Sequence, residues 1–237
     1  MPLTKSQINK LGEELRHLDP LDSIPEPALL RLQEFRSLYD APLVEAQTLI
    51  KDRLGLDTTS RLKTVNTIVE KLRREKTRLA EMQDVAGLRI VMDGGLVEQE
   101  SLIAALTDVF PGAKVIDRRS KPSHGYRAVH LVPLVSGWAV EVQVRTRLQD
   151  LWAQAFERVA DKAGRGIRYG VVPPEWADQI ASLKSSSDLV ASSEELDREI
   201  DEGDLSPTEQ QIEALNQIRE QIRAKLARFI EGTEDLP

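Results

Sequence analysis

Residues 138–146 read WAVEVQVRT, and this strict alternation is the feature that most limits how the chain can fold. A period of two places Val140, Val142 and Val144 on one face of a β-strand, where we expect them in the core. The opposite face then carries an acid, an amide and a guanidinium, which are Glu141, Gln143 and Arg145. The preceding residues AVHLVPLV are also typical of a strand, and the Ser-Gly pair at 136 and 137 favours a tight turn. The sequence therefore predicts a β-hairpin.

Short β-rich runs predict the other strands of the sheet, namely AGLRIVM, AKVIDRR and the brief Arg-Leu-Lys segment at 61–63. Apolar residues spaced by three and four positions predict helices between these strands. They lie before residue 54, from Thr64 or Asn66 to about Leu79, and at about 97–110, 149–162, 175–200 and 207–231. We therefore expect an α/β (α+β) fold, with a mixed central β-sheet flanked by helices.

Composition narrows the class of protein. The 237 residues are 41% hydrophobic, which is enough to bury a core. The absence of cysteine excludes disulfides, thiolate metal ligands and a cysteine nucleophile, and it suits a reducing cytoplasm. No segment approaches the roughly 20 apolar residues that span a bilayer, so we expect a soluble cytoplasmic protein without membrane contact. The net charge of −7 argues against a surface that is basic throughout, although residues 61–78 are locally basic.

A carboxylate just before a predicted strand suggests a metal site. Asp84 precedes AGLRIVM, where a lone acid is usually a turn or cap residue. Paired with Glu141 it suits Mg²⁺, which prefers oxygen ligands and is commonly held by one or two carboxylates plus substrate phosphates. The ordinary alternative for the polar face of residues 141–145 is a sheet surface that faces solvent.

Cationic residues and one tyrosine complete the outline of a site for a nucleotide polyphosphate. Tyr126 lies in KPSHGYRAVH, in a predicted loop, where its ring can stack on a base. The chain lacks the pattern GxxxxGK[ST], so the site is not a P-loop. The cations that can neutralise phosphates are Arg61, Lys63, Lys71, Arg89, Lys121, Arg127 and Arg145.

Four ordered motifs resemble the synthetase domain of the RelA/SpoT family, the alarmone synthetases. They are RLKTVNTIVEKL, DVAGLRIV, KPSHGYRAVH and VEVQVRTRLQDLWAQAFE, and they cover about residues 61–162. The resemblance implies a nucleotidyltransferase-like synthetase fold that transfers a pyrophosphoryl group from ATP to a ribose 3′-hydroxyl. It also implies a pyrophosphokinase core at 55–170, preceded by an N-terminal helical segment at 1–54 and followed by a C-terminal helical extension at 171–237.

The resemblance assigns roles to individual residues. Asp84 and Glu141 would bind Mg²⁺ and act in catalysis, with Glu141 as the candidate base. ATP would be held by Arg61, Lys63, Lys71, Arg89 and Arg145. The acceptor would be held by Tyr126, Lys121, Arg127, His130 and Gln143. For His130 the alternative is a hydrogen-bonded histidine beside the hairpin.

The chain departs from the family pattern near the expected acceptor. Ala128 stands where the family usually has Ser, and Glu157-Arg158 and Asp161-Lys162 stand where it usually has Glu-His and Tyr-Lys. Only His17, followed by Leu18, precedes the synthetase region, so we expect no hydrolase with a His-Asp metal site.

Three functions stay open at this point. The first is a small alarmone synthetase that uses GDP or GTP. The second is a toxin-type relative, with a cognate antitoxin, that modifies the 3′-terminal adenosine of tRNA or adenine nucleotides. The third is a catalytically silent nucleotide-binding module. The C-terminal helices can pack on their own domain, on a twin subunit of a homo-oligomer or on an inhibitor, and the sequence leaves these choices open.

Overall fold

The computed structural model of the chain describes residues 3–18 and 23–232. The predicted segments at residues 1–2, 19–22 and 233–237 lie outside the described residues. The elements within the described ranges, in chain order, are α1 (Lys5–His17), α2 (Glu26–Ser37), α3 (Asp40–Leu54), β1 (Thr59–Leu62), α4 (Val65–Glu75), β2 (Ala86–Met92), α5 (Leu96–Val109), β3 (Lys114–Asp117), β4 (Val129–Val132), β5 (Leu134–Val135), β6 (Trp138–Thr146), α6 (Arg147–Ala163), α7 (Ala177–Asp201) and α8 (Glu209–Glu231). Among these residues no helix has both the length and the apolar character needed to cross a membrane.

The strands form one six-stranded sheet in the order β1-β2-β6-β4-β3, with β5 paired to β6. β1 runs antiparallel to β2, with Arg61 opposite Gly87 and Leu62 opposite Ala86. This confirms the predicted α+β fold with a central sheet and flanking helices. Every predicted strand and helix is present, with shifts of a few residues at some ends.

The predicted hairpin is confirmed with one change. Ser136 and Gly137 have φ angles of 49° and 83°, as a two-residue turn with left-handed residues requires. Val135 pairs with Trp138 and Leu134 with Ala139. Pro133 separates β4 from β5 because proline lacks the N–H that a continuous strand would donate.

The chain divides into two compact units. The first comprises Met1–Ile90, Ala105–Val115 and Leu131–Gln143, and the second comprises Val91–Ala104, Ile116–His130 and Val144–Pro237. The predicted boundaries at residues 54 and 170 fall at the end of α3 and just after a short 3₁₀ helix at Arg165–Tyr169. The predicted three-part division itself stays a prediction.

In the first unit, α1 explains why α4 is shorter than predicted. We expected α4 to continue to about Leu79, but it ends at Glu75, and Lys76 has a φ of 49°. The Arg16 side chain donates to the carbonyl oxygen of Leu72 at 3.0 Å and also to that of Thr77. These carbonyl oxygens are therefore hydrogen-bonded without the N–H groups of another helical turn. Leu79 then packs on α1 at Gly12, where an added Cβ would lie 2.7 Å from the Leu79 Cβ.

In the second unit, the last two helices pack on α6. Apolar residues of these three helices and Trp176, just before α7, form one buried cluster that includes Trp152, Leu183, Leu226 and Phe229. Trp152 and Phe156 stack with ring centroids 5.0 Å apart. The C-terminal helices therefore cover a face of their own domain, the first of the three choices left open by the sequence.

Candidate active site

Asp84 is the centre of a charge cluster in the first unit. Its Oδ2 accepts a hydrogen bond from Lys71 Nζ at 2.7 Å and lies 3.0 Å from Lys63 Nζ. Thr64 caps α4 and so fixes the start of the helix that carries Lys71, while Arg36 Nε donates to the Lys63 carbonyl oxygen at 2.8 Å. The cluster is thus anchored by two neighbouring elements, and the predicted residues Lys63, Lys71 and Asp84 lie together.

Burial and charge act in opposite directions on this cluster. Burial raises the pKa of Asp84, but Lys63 and Lys71 outweigh burial and hold its pKa below the usual value. Burial also lowers the pKa of Lys71, and the Asp84 carboxylate outweighs it and raises that pKa above its ordinary value. At neutral pH, Asp84 is therefore an anion and Lys71 a cation.

One oxygen of Asp84 is available for a metal ion. Oδ1 is buried and accepts no hydrogen bond from any described residue, whereas Oδ2 receives both lysines. No group of three His, Asp or Glu side chains that could hold a metal ion occurs within the described ranges. A single carboxylate oxygen beside two lysines fits Mg²⁺, which commonly takes one or two carboxylates plus substrate phosphates and water.

Glu141, the second predicted carboxylate, lies in β6 in the same unit. Its Oε2 accepts a hydrogen bond from Gln143 Nε2 at 2.7 Å, as the shared face predicted by the alternation requires. An ideal Cβ on Gly87 would lie 3.8 Å from the Glu141 carbonyl oxygen, so β6 lies against the strand that follows Asp84. The alternative of a solvent-facing surface is wrong, because Gln143 and Arg145 are only 8% and 3% exposed.

A cavity of about 210 Å³ opens beside β1 and β2 in the first unit. It is lined by backbone and side chains of both strands and by one residue of β6: Thr59, Ser60, Arg61, Gly87, Leu88, Arg89 and Gln143. Two of the predicted ATP ligands, Arg61 and Arg89, therefore share one cavity. Gln143, which was predicted to bind the acceptor, lies with them.

Tyr126 is the centre of a separate network in the second unit. Its hydroxyl lies 2.9 Å from His130 Nε2 and accepts a hydrogen bond from Arg145 at 2.9 Å. The guanidinium of Arg145 also lies over the Tyr126 ring, 5.1 Å from its centroid. Arg145 donates in turn to Asp150 at 2.9 Å. His130 is buried and hydrogen-bonded, in agreement with its structural alternative.

The loop that presents Tyr126 is a tight turn. Ser123 and Tyr126 exchange backbone hydrogen bonds of 3.3 and 3.0 Å, and the two residues between them have positive φ, 54° at His124 and 93° at Gly125. Glycine is required at 125 for a second reason, because an added Cβ would lie 2.7 Å from the Trp152 ring. The turn is thereby pressed against α6.

A second cavity, also of about 210 Å³, opens beside this loop. Aromatic and apolar side chains line part of it, and ionisable side chains line the rest: Arg118, Ser123, Tyr126, Trp152, Ala153, Phe156, Glu157 and Arg168. The Tyr126 ring thus borders this cavity. Sequence reasoning named Glu157 only as the neighbour of Arg158, which departs from the family pattern, and it missed Arg168 and Asp150, which no local signal marks.

The remaining predicted acceptor ligands differ in their surroundings. Lys121 is exposed. Arg127 is mostly buried, and its guanidinium binds the Arg119 carbonyl oxygen, Ser187 and Asp188. Arg145, predicted for ATP, lies instead with Tyr126 and His130. The structure therefore groups Asp84, Glu141, Lys63, Lys71, Arg61 and Arg89 in one unit, and Tyr126, His130, Arg127 and Arg145 in the other.

Comparisons with known proteins agree with the motifs. The family described as "Region found in RelA / SpoT proteins" matches residues 60–161. The protein Rv1366 of Mycobacterium tuberculosis, which has no characterised function, is 36% identical over 204 residues, covering 78% of this chain and 72% of that protein. The GTP pyrophosphokinase YjbM of Bacillus subtilis is 32% identical over 154 residues, covering 58% of this chain and 68% of that protein.

The fold is similar to that of solved synthetases. Small alarmone synthetase 1 from Bacillus subtilis superimposes with a TM-score of 0.56 at 24% identity, covering 73% of this chain and 98% of that chain. The same synthetase bound to its product pppGpp superimposes with a TM-score of 0.55 at 21% identity, covering 74% of this chain and 99% of that chain. At these identities the similarity supports the fold alone.

Proposed function

The chain belongs to the RelA/SpoT family, and we propose that it is a small alarmone synthetase that transfers the β,γ-diphosphate of ATP to the ribose 3′-hydroxyl of GDP or GTP. The observation that carries the proposal is the Asp84 cluster. One carboxylate oxygen is held by Lys63 and Lys71 while the other accepts no hydrogen bond from the described residues. Two cations beside a carboxylate with a free oxygen suit a metal-bound polyphosphate.

On the donor side, we assign the triphosphate to Lys63 and Lys71 and the rest of ATP to the cavity of Arg61 and Arg89. Lys63 and Lys71 now neutralise Asp84. When ATP binds, its phosphate oxygens take over these ammonium groups, and the second carboxylate oxygen of Asp84, Oδ2, is released from the lysines as well. Mg²⁺, held by Asp84 and Glu141, would neutralise the charge that develops on the phosphates during transfer.

The reaction itself forms a bond between the acceptor O3′ and the β-phosphorus and breaks the bond from that phosphorus to the α–β bridging oxygen. AMP leaves with that oxygen. Catalysis of such a transfer depends mainly on positioning and on charge stabilisation. We assign Glu141 as the group that accepts the hydroxyl proton, with Gln143 holding its carboxylate by the 2.7 Å hydrogen bond.

On the acceptor side, we assign the base to the cavity bordered by Tyr126. Arg145 covers the ring and binds its hydroxyl, so the ring is fixed in orientation before a base arrives. The exposed Lys121 is free of this network and is assigned to the acceptor phosphates. Arg127 supports the loop from within, as its contacts with Ser187 and Asp188 indicate.

The contacts of the basic residues between Lys71 and Arg78 favour a nucleotide acceptor over tRNA. For tRNA, the residues from Lys71 to Arg78 would grip the phosphate backbone. Lys71 is assigned to the triphosphate of ATP, Arg74 pairs with Glu75, and Arg73 donates to the Leu18 carbonyl oxygen at 2.9 Å. These three cations are engaged by other groups, which reduces their capacity to bind an RNA backbone and release its counterions.

The proposal is tested by offering acceptors separately. The protein is incubated with Mg²⁺ and γ-labelled ATP, together with GDP, GTP, AMP, ATP or deacylated tRNA, and the labelled product is separated. We expect label on GDP and GTP. Label on tRNA or on adenine nucleotides alone would instead assign the toxin-type activity, and no label on any acceptor would indicate a silent binding module.

A further inference from the structure

Ser187, in the middle of α7, forms hydrogen bonds to the acceptor loop. Its hydroxyl donates to the Gly125 carbonyl oxygen at 2.5 Å and accepts from Arg127 Nε at 3.1 Å. The Ser187 side chain is 2% exposed, and both of its hydrogen bonds are partly buried. The Ser187 hydroxyl thus donates one hydrogen bond to the loop and accepts another from it.

The neighbouring serine shows that this contact is specific to position 187. A serine inside a helix commonly bonds back to the carbonyl four residues earlier, and Ser186 does so, to Ser182 at 2.9 Å. Three consecutive serines at 185–187 are also poor helix formers. Ser187 instead directs its hydroxyl away from its own helix. The local cost in helix stability is therefore offset by a contact with the loop.

Arg127 extends the contact between α7 and the loop. Its guanidinium donates to Asp188 at 2.9 Å and to the Arg119 carbonyl oxygen, and its side chain is 13% exposed. Residue 119 precedes the loop and residue 127 ends it, so this arginine joins both ends of the loop to α7.

The Trp152 ring packs against the loop. Its ring occupies the space where a side chain at Gly125 would lie. Its indole N–H donates to the Leu183 carbonyl oxygen in α7 at 2.7 Å, so α7 also fixes this ring. The loop is therefore in contact with the Trp152 ring and with Ser187, both of which lie beside Gly125.

We propose that α7 is part of the acceptor machinery, and that Ser187 is a positioning residue that holds the loop of residues 121–127 in the shape that binds the acceptor. The inference rests on the proposed function, in which this loop binds the acceptor nucleotide. Tyr126 follows Gly125 directly, so a loop released from Ser187 no longer presents the ring to the cavity in one orientation. The C-terminal extension then sets the affinity for the acceptor and leaves the affinity for ATP unchanged.

The first test uses the full chain with Mg²⁺, labelled ATP and GTP as acceptor. Ser187→Ala removes both hydrogen bonds, and we expect the KM for GTP to rise about tenfold, as the loss of a buried hydrogen-bonding partner implies. We expect the KM for ATP to stay within about twofold. Ser185→Ala, on an exposed position of the same helix, is the matched control and should change neither constant.

Asp188→Ala removes a weaker contact between α7 and Arg127, and its effect on the KM for GTP is compared with that of Ser187→Ala. Asp188 is 75% exposed, so its ion pair with Arg127 is screened by water, and we expect a change of about twofold or less in the KM for GTP. A merely structural role of Ser187 would instead lower the melting temperature and weaken ATP and GTP alike. That outcome, or an unchanged KM for GTP in Ser187→Ala, would overturn the proposal.

Hydrogen exchange tests the contact without any substrate. The Tyr126 amide, bonded to the Ser123 carbonyl oxygen, should exchange at least about tenfold faster in Ser187→Ala than in the unaltered chain, while amides of α6 are unchanged. If the unaltered chain does not use GTP, the proposed function fails at its acceptor, and the exchange result still decides the role of Ser187. Equal exchange of residues 121–127 in both proteins would refute the positioning role.

Discussion

Replacing Tyr126 by phenylalanine separates the two parts of this side chain. The hydroxyl is bonded to His130 and to Arg145, each at 2.9 Å, and Arg145 is 3% exposed. The ring, in contrast, borders the cavity beside the loop. Phenylalanine keeps the ring and removes only the hydroxyl, so we expect stability to fall while acceptor binding is largely kept.

The expected loss of stability follows from the two bonds. Removing a partner from buried polar groups costs about 1–3 kcal/mol of unfolding free energy. For a chain of this size that loss lowers the melting temperature by about 2–12 °C. Tyr126→Ala also removes the stacking surface, which is worth about 1–3 kcal/mol of acceptor binding, or roughly 5- to 150-fold in affinity.

Melting curves and steady-state kinetics with GTP measure the two effects on the same variants. Tyr169→Phe is the matched control, because Tyr169 lies in the same unit and is 47% exposed. Tyr126→Phe should keep the KM for GTP within about threefold. Neither Tyr126→Phe nor Tyr126→Ala should change the KM for ATP. If phenylalanine weakened GTP as strongly as alanine, the hydroxyl rather than the ring would bind the acceptor. An unchanged melting temperature would refute the assigned value of the hydroxyl bonds.

Three further substitutions test the remaining parts of the account. Asp84→Asn should abolish transfer. It should also lower the unfolding free energy by about 1–3 kcal/mol, because Lys63 and Lys71 lose their shared anion. Near-normal turnover at saturating Mg²⁺ would contradict the metal assignment. Glu141→Gln should abolish transfer with an unchanged melting temperature, and a variant that still turned over ATP and GTP would remove Glu141 from catalysis. Burial raises the pKa of Glu194 above its ordinary value of 4.5. The folded state therefore binds more protons than the unfolded state just above that value, and stability falls as pH rises through this window. Urea unfolding from pH 4.5 upward should show that Glu194→Gln removes this fall, and an identical slope in both proteins would mean that Glu194 does not cause it.

The strands of the sheet could be predicted because their pattern is local. The alternation in WAVEVQVRT placed the valines of β6 in the core and put Glu141 and Gln143 on one face, where they share a hydrogen bond. What the alternation could not show is that the opposite face is also covered, because the burial of Arg145 depends on Tyr126 and Asp150. Periodicity reports which residues share a face, and the surroundings of that face come from elements distant in the sequence.

The same limit explains the other differences. The early end of α4 depends on Arg16 of α1, 56 residues before the Leu72 carbonyl that it binds. Arg127 was predicted to bind the acceptor, which stays a prediction, and no local signal shows that Ser187, 60 residues later, accepts its hydrogen bond. The charge cluster of Lys63, Lys71 and Asp84 is the opposite case, since short separations and a helix cap bring these residues together.

Under the proposed function, the β,γ-diphosphate of ATP is transferred as one group. The most direct measurement follows the protein with ATP labelled at the α-phosphate in one reaction and at the γ-phosphate in another, with GTP and Mg²⁺ present. We expect α-label only in AMP, γ-label only in the pyrophosphorylated acceptor, and equal amounts of the two products. Formation of α-labelled ADP with γ-label on the acceptor would show transfer of a single phosphoryl group, and release of free labelled phosphate or pyrophosphate would show hydrolysis; either result would contradict the account.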